Sequence, residues 1–71
     1  MRSNSRLGKT IRGKIQKLRH GAKLTQEELA DKVGISRVYM GYLEQGRNTP
    51  SLETLEKMAK VLRTSPSTLL K

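Results

Sequence analysis

Residues 36–45 concentrate side chains suited to contacting nucleobase edges. At helical spacing, Met40 and Leu43 mark one apolar face of this segment, with Ile35 just before it. The opposite face then carries Ser36, Arg37, Val38, Gly41, Tyr42 and Gln45. Arginine makes bidentate hydrogen bonds to guanine, and a valine methyl packs on the methyl of thymine. Glutamine both donates and accepts, and a tyrosine hydroxyl reaches a phosphate or a base edge. An ordinary solvated face is richer in Glu and Lys, as residues 53–60 are, with Glu53, Glu56, Lys57 and Lys60. Gly41 is out of place in a helix, where glycine costs about 0.5–1 kcal/mol against alanine. On the face opposite the core, it either gives the helix room to approach a surface closely or is a tolerated exposed glycine.

Catalytic chemistry has little to work with. The chain has no cysteine and one histidine, His20, which excludes a thiol nucleophile and a zinc cluster. His20 falls near a helix end, where a histidine more often complements the carboxyl-terminal dipole than it catalyses. Glu27, Glu28 and Asp31 cluster on one segment with no opposing carboxylate group. The "GKT" at residues 8–10 lacks the upstream glycine and strand of a phosphate loop. No enzyme, metal, cofactor or small-molecule ligand is expected.

The formal net charge of +9 is unevenly spread over the 71 residues. Residues 1–23 hold eight Lys or Arg and no acid, while the remainder holds seven basic and six acidic residues, a net of +1. Such a block suits a polyanion. Residues 1–6 read equally well as a basic, solvated and partly disordered arm. No apolar run is long enough to span a membrane, and no apolar segment follows the basic start as in a secretory signal.

These residues need helices to position them. Leu7, Ile11, Ile15 and Leu18 predict a first helix over about 7–20, capped by Asn4 or Ser5 and ended by Gly21. "TQEE" is a capping box, with Thr25 as N-cap and Glu28 three residues on, opening a helix over about 26–33 that Gly34 closes. Ser36 caps a third helix over about 37–45, with Gly46 after it. Only Gly34, Ile35 and Ser36 separate these two helices, which forces a sharp turn. Ser51 caps a fourth helix over about 52–62, with Leu52, Leu55, Ala59 and Leu62 inward and Glu53–Lys57 and Glu56–Lys60 pairs outward. Ser65 and Pro66 open a short last helix carrying Leu69 and Leu70. No strand pattern appears, so the class is all-α: one domain over residues 7–71 after the arm.

"LRHGAKLTQEELADKVGISRVYMGYLEQGRNTPSLETLEKMAKVL" (residues 18–62) resembles the helix-turn-helix domain of the lambda-repressor/Cro-like (Xre-type) family. Gln26 opening the second helix, Ala30 within it, Gly34 in the turn and the apolar Leu29, Val33, Ile35, Met40 and Leu43 carry the resemblance. The flanking "LEQGRNTPS" and "LETLEKMAKVL" extend it, so that it covers about residues 7–70. The resemblance implies a compact five-helix domain binding operator DNA as a symmetric homodimer. It implies base reading by Arg37, Val38 and Tyr42, to which the exposed face adds Ser36 and Gln45. It implies phosphate contacts by Gln26 and by the loop of Arg47, Asn48 and Thr49, with Lys23, Thr25 and Tyr39 as further candidates. Arg19 and Glu44 are expected to form a partly buried salt bridge, which removes Arg19 from the DNA-facing charges. The resemblance is nearest to small stand-alone regulators: phage repressors, restriction-modification controllers and autoregulating antitoxins. The chain ends soon after the fifth helix, which leaves no room for a ligand-binding domain unless it is the N-terminal piece of a longer repressor.

Val61, Leu69 and Leu70 are the expected dimer interface, being more apolar than so thin a domain covers by itself. The expected partners are double-stranded DNA and a second copy, in prokaryotic or phage-like cytoplasm, associated with the nucleoid. The alternative is an antitoxin-type module whose main task is to neutralise a protein partner. A third class, nonspecific binding of a basic peptide to RNA or anionic membrane, fits poorly with caps and apolar stripes on every helix.

Overall fold

Cap residues set where α2, α3 and α4 begin. The computed structural model describes the backbone of residues 5–70 and the side chains of residues 13–70. It contains α1 (Ser5–Gly21), α2 (Gln26–Val33), α3 (Arg37–Glu44), α4 (Leu52–Val61) and α5 (Pro66–Leu70). Among the described residues there is no strand. α1 starts two residues inside the anticipated arm. The inward positions expected of Leu7 and Ile11, the charges from Arg2 to Arg12 and a cap at Asn4 lie outside the described residues and side chains.

The N-terminal caps are built by hydroxyl side chains that relieve otherwise unpaired backbone N–H groups. Thr25 Oγ1 accepts from the Glu28 N–H at 3.0 Å, and Glu28 Oε1 accepts from the Thr25 N–H at 2.7 Å, completing the capping box. Ser36 Oγ accepts from the Tyr39 N–H at 3.0 Å and Ser51 Oγ from the Thr54 N–H at 3.1 Å. α2 ends on Gly34, whose φ of 88° is left-handed. α1 does not end on Gly21 in this way. Lys23 takes the left-handed residue's role at φ 60°, with the Leu24 N–H returning to the Arg19 carbonyl at 3.1 Å. α4 closes likewise on Arg63 at φ 58°.

The core is one cluster: Ile15 of α1; Leu29, Ala30 and Val33 of α2; Met40 and Leu43 of α3; Leu55, Met58 and Ala59 of α4; then Leu62 and Leu69. α1 packs on α3 and α5, α2 on α3 and α4, and α4 on α5. The α4 stripe differs from expectation at both its start and its middle. Leu52 is 67% exposed, whereas Met58 is fully buried. Side chains on a helix lean toward its N-terminus, so that of Leu52, in the first position, projects past the helix end rather than onto the core. Of the outer pairs on α4, Glu53–Lys57 closes at 3.5 Å. Glu56–Lys60 does not close within 4.0 Å.

The expected dimer residues separate. Leu69 is fully buried in the chain's own core, so it has no surface to offer a second copy. This overturns its assignment to an interface: the short α5 needs Leu69 to seal the core against α1 and α4. Leu70 is 44% exposed, and Val61 is half-buried beside an open depression lined by Ala22, Leu24, Lys32, Leu62 and Arg63.

Candidate nucleic-acid interface

α2, the Gly34–Ser36 turn and α3 hold the candidate site. Burial of Met40 and Leu43, each 0% exposed, fixes the rotation of α3 about its axis. The face turned outward then carries Arg37, Val38 at 60% exposure, Gly41, Tyr42 at 38% and the C-cap residue Gln45. Val38 is the least expected member in an ordinary folded surface, being an apolar side chain left largely exposed. Ser36 is exposed at the head of the helix, but its oxygen already serves the cap, leaving its O–H to donate. Tyr39 lies lower, half-buried against the core.

A buried ion pair fastens the end of α3 to the rest of the domain. Arg19 Nε donates to Glu44 Oε2 at 2.6 Å and Arg19 Nη2 to Glu44 Oε1 at 3.0 Å. Arg19 Nη1 also donates to the Leu24 carbonyl at 2.9 Å, tying the turn after α1 into the same assembly. Glu44 is 2% exposed and Arg19 9%. A buried bidentate pair of this kind is costly to break because a lone buried charge remains. Among the described residues, no buried side-chain nitrogen or oxygen lacks a partner.

Two contacts at the site escape the sequence reading. Gln26 Nε2 donates to Glu44 Oε1 at 3.2 Å, so the first residue of α2 is an outer member of the ion-pair assembly. The bond orients its amide: the nitrogen faces Glu44, and Oε1 lies 3.8 Å from where a Cβ on Gly41 would stand. The room above Gly41 is thus bounded on the protein side by Gln26. Nothing in local spacing announces this contact, which spans 18 residues. The second contact is the Arg47 guanidinium, 4.9 Å above the centre of the Tyr42 ring. That one had a signal, because Gly46 as C′ of α3 folds the next residue back onto the last turn.

Of the candidate phosphate contacts, Lys23, Thr25, Arg47, Asn48 and Thr49 are exposed, and Gln26 and Tyr39 are half-buried. Glu28, within the capping box, titrates below the usual glutamate range. The Thr25 backbone N–H is the main cause, followed by its hydroxyl, with a smaller pull from Lys32 against a small opposing effect of desolvation. It therefore holds a negative charge at the N-terminus of α2, which the helix dipole favours. Among the described residues, no group of His, Cys, Asp or Glu is arranged to hold a metal, and no helix is long and apolar enough to cross a membrane.

Comparison with known proteins agrees with this geometry. The helix-turn-helix family model matches residues 15–69. The immunity repressor protein of Bacillus phage phi105 is 43% identical over 53 residues, covering 75% of this chain and 37% of that protein. An uncharacterized helix-turn-helix-type transcriptional regulator of Archaeoglobus fulgidus is 43% identical over 51 residues, covering 72% of this chain and 73% of its own. This chain thus spans little more than a third of the phage repressor but most of the archaeal regulator. Among solved structures, the restriction-modification controller protein C.AhdI of Aeromonas hydrophila superposes with a TM-score of 0.80 at 33% identity, covering 84% of this chain and 91% of that one. The clp gene regulator ClgR of Corynebacterium glutamicum gives 0.85 at 28%, covering 90% and 68%. The chain belongs to the helix-turn-helix family of transcriptional regulators, of the lambda-repressor (Xre) type, a family of regulators and not of enzymes.

Proposed function

We propose that this chain is a repressor or controller that binds a pseudo-palindromic operator as a homodimer, with α3 in the major groove. The observation that carries the reading is the outward face of α3, where Arg37, Val38 and Tyr42 stand exposed over a rigidly packed helix. An eight-residue helix is about 12 Å long, which matches a major groove about 12 Å wide. Arg37 reads guanine, Val38 a thymine methyl, and Tyr42 and Gln45 neighbouring edges. Gln26, Lys23 and Thr25 at the head of α2 contact phosphates on one side of the groove, and Arg47, Asn48 and Thr49 on the other. The net charge of +9 steers the encounter and makes affinity strongly salt-dependent.

The names of the phage immunity repressor and of the restriction-modification controller support a repressor or controller. For the dimer, Leu70 and Val61 remain as apolar surface near the end of the described chain. A symmetric dimer sets half-site centres about 34–36 Å apart. Selection of bound duplexes from a random pool, at one stated salt concentration, tests specificity, palindromy and spacing together. A pool that returns no shared sequence overturns the reading. Light scattering that gives a monomer at high micromolar concentration, free and on DNA, overturns the dimer alone.

A further inference from the structure

The cap of α3 places Arg47 where it does more than neutralise a phosphate. Gly46, at φ 75°, reverses the chain directly after the helix. The Arg47 N–H then returns to the Tyr42 carbonyl at 2.9 Å, across the last turn. In caps of this geometry the two residues so joined usually touch through apolar side chains. Here they touch through a cation and an aromatic face, with the guanidinium 4.9 Å from the ring centre. The two residues are linked twice, once by backbone and once by side chain, and both are exposed.

We infer that Arg47 is a positioning residue for base discrimination by Tyr42, and that the two act as one unit on DNA. The inference rests on the DNA-binding reading above. A guanidinium set over a ring face keeps N–H donors free for another partner, so Arg47 can hold a phosphate while it contacts the ring. The ring face under Arg47 is closed to a stacked base, and the hydroxyl and the ring edge remain to meet the groove. Tyr42 lies in the last turn of α3, 38% exposed and outside the core cluster. Fixing its ring against Arg47 limits the rotamers from which it can meet a wrong base pair. A pure phosphate contact weakens all sequences alike; a residue that holds a reading side chain changes the ratio between sequences.

The test is a double-mutant cycle on DNA, using the duplex recovered from random-pool selection and its single base-pair variants. Affinities of wild type, Arg47→Gln, Tyr42→Leu and the double variant are measured by fluorescence anisotropy at one salt concentration, with thermal unfolding as a folding control. A cation–aromatic contact at an exposed site predicts that Arg47→Gln lowers discrimination about two- to fivefold at the base pairs that Tyr42→Leu relaxes. The double variant is expected to discriminate no worse than Tyr42→Leu alone, and Tyr42→Phe to preserve the coupling. In the free protein, proton NMR should show the Arg47 side-chain protons shifted upfield by the ring, and the shift should vanish in Tyr42→Leu. Arg47→Gln that weakens every duplex by one factor, with ratios unchanged, overturns the inference while leaving the DNA reading intact. Unshifted Arg47 protons in the free protein overturn it too. A wild type that binds all duplexes alike removes the DNA reading and the inference with it.

Discussion

Arg19→Met is the substitution that most directly probes how the reading helix is held. It removes the bonds from Arg19 to Glu44 at 2.6 and 3.0 Å and the bond to the Leu24 carbonyl at 2.9 Å. The methionine fills most of the volume, so the loss is electrostatic more than steric. Glu44 stays behind at 2% exposure with Gln26 as its one remaining side-chain partner among the described residues. Breaking a buried pair from one side costs about 3–5 kcal/mol. A 71-residue domain at ordinary stability has only about 4–11 kcal/mol in total. The variant is therefore expected to be barely folded. Urea unfolding followed by far-ultraviolet circular dichroism measures this, with a slope of about 1 kcal/mol per molar for so small a chain.

Adding Glu44→Leu to Arg19→Met removes the orphaned charge. Replacing a whole buried pair with apolar side chains is often neutral or stabilising, so the double variant should recover most of the loss. It should nevertheless bind operator more weakly, because Gln26 no longer has Glu44 to orient its amide. A single variant within about 1 kcal/mol of wild type would show that the pair is not buried in solution. A double variant as unstable as Arg19→Met would place the cost in packing and not in the unpaired carboxylate.

Gly41→Ala is expected to stabilise the fold by up to about 1 kcal/mol in urea titration, since the added methyl meets Gln26 Oε1 at an ordinary 3.8 Å. It should weaken operator binding in the same preparation, and stabilisation with unchanged affinity would leave Gly41 as a tolerated glycine. Arg37→Ala should cost roughly 1–3 kcal/mol on the preferred duplex and relax preference at one base pair, as read by anisotropy on single-base variants; unchanged ratios would mean that Arg37 reads no base. Glu28 titrates below its ordinary value in the folded chain, so its stabilisation is complete above that value and disappears as pH falls through the lowered one. The urea midpoint of wild type should therefore exceed that of Glu28→Gln at pH 7, with the gap closing in acid.

The helices were legible because their signals are local. Thr25, Ser36 and Ser51 are hydroxyl caps, Gly34 and Gly46 are left-handed stops, and each acts within one turn of itself. The end of α1 was misread because Gly21 looks like the stop, whereas a Cβ there meets nothing within 4 Å and Lys23 makes the turn instead. Leu69 was misplaced because an apolar residue near a chain end does not reveal whether its own core or a partner covers it. The outward set of Arg37, Val38 and Tyr42 followed from periodicity once Met40 and Leu43 were inside. What periodicity cannot supply is how outward residues touch one another or distant elements, as Gln26 does with Glu44 and Arg47 with Tyr42.

These contacts explain how so poor a helix can present a defined surface. α3 has eight residues, with a glycine in its middle and no ion pair within it among the described residues. A helix this short is unstable alone in water. It is held from outside: Ser36 satisfies its first turn, Met40 and Leu43 are sealed in the core, and Glu44 is bonded to α1 and α2. None of these fasteners uses Arg37, Val38 or Tyr42. The residues proposed to read DNA can therefore vary with little effect on the fold, and the residues that hold the fold need not change when the sequence preference does. Gln26 is the exception, since it belongs both to the buried assembly and to the surface. Substitutions at Gln26 should move stability and affinity together, whereas those at Arg37 and Val38 should move affinity alone.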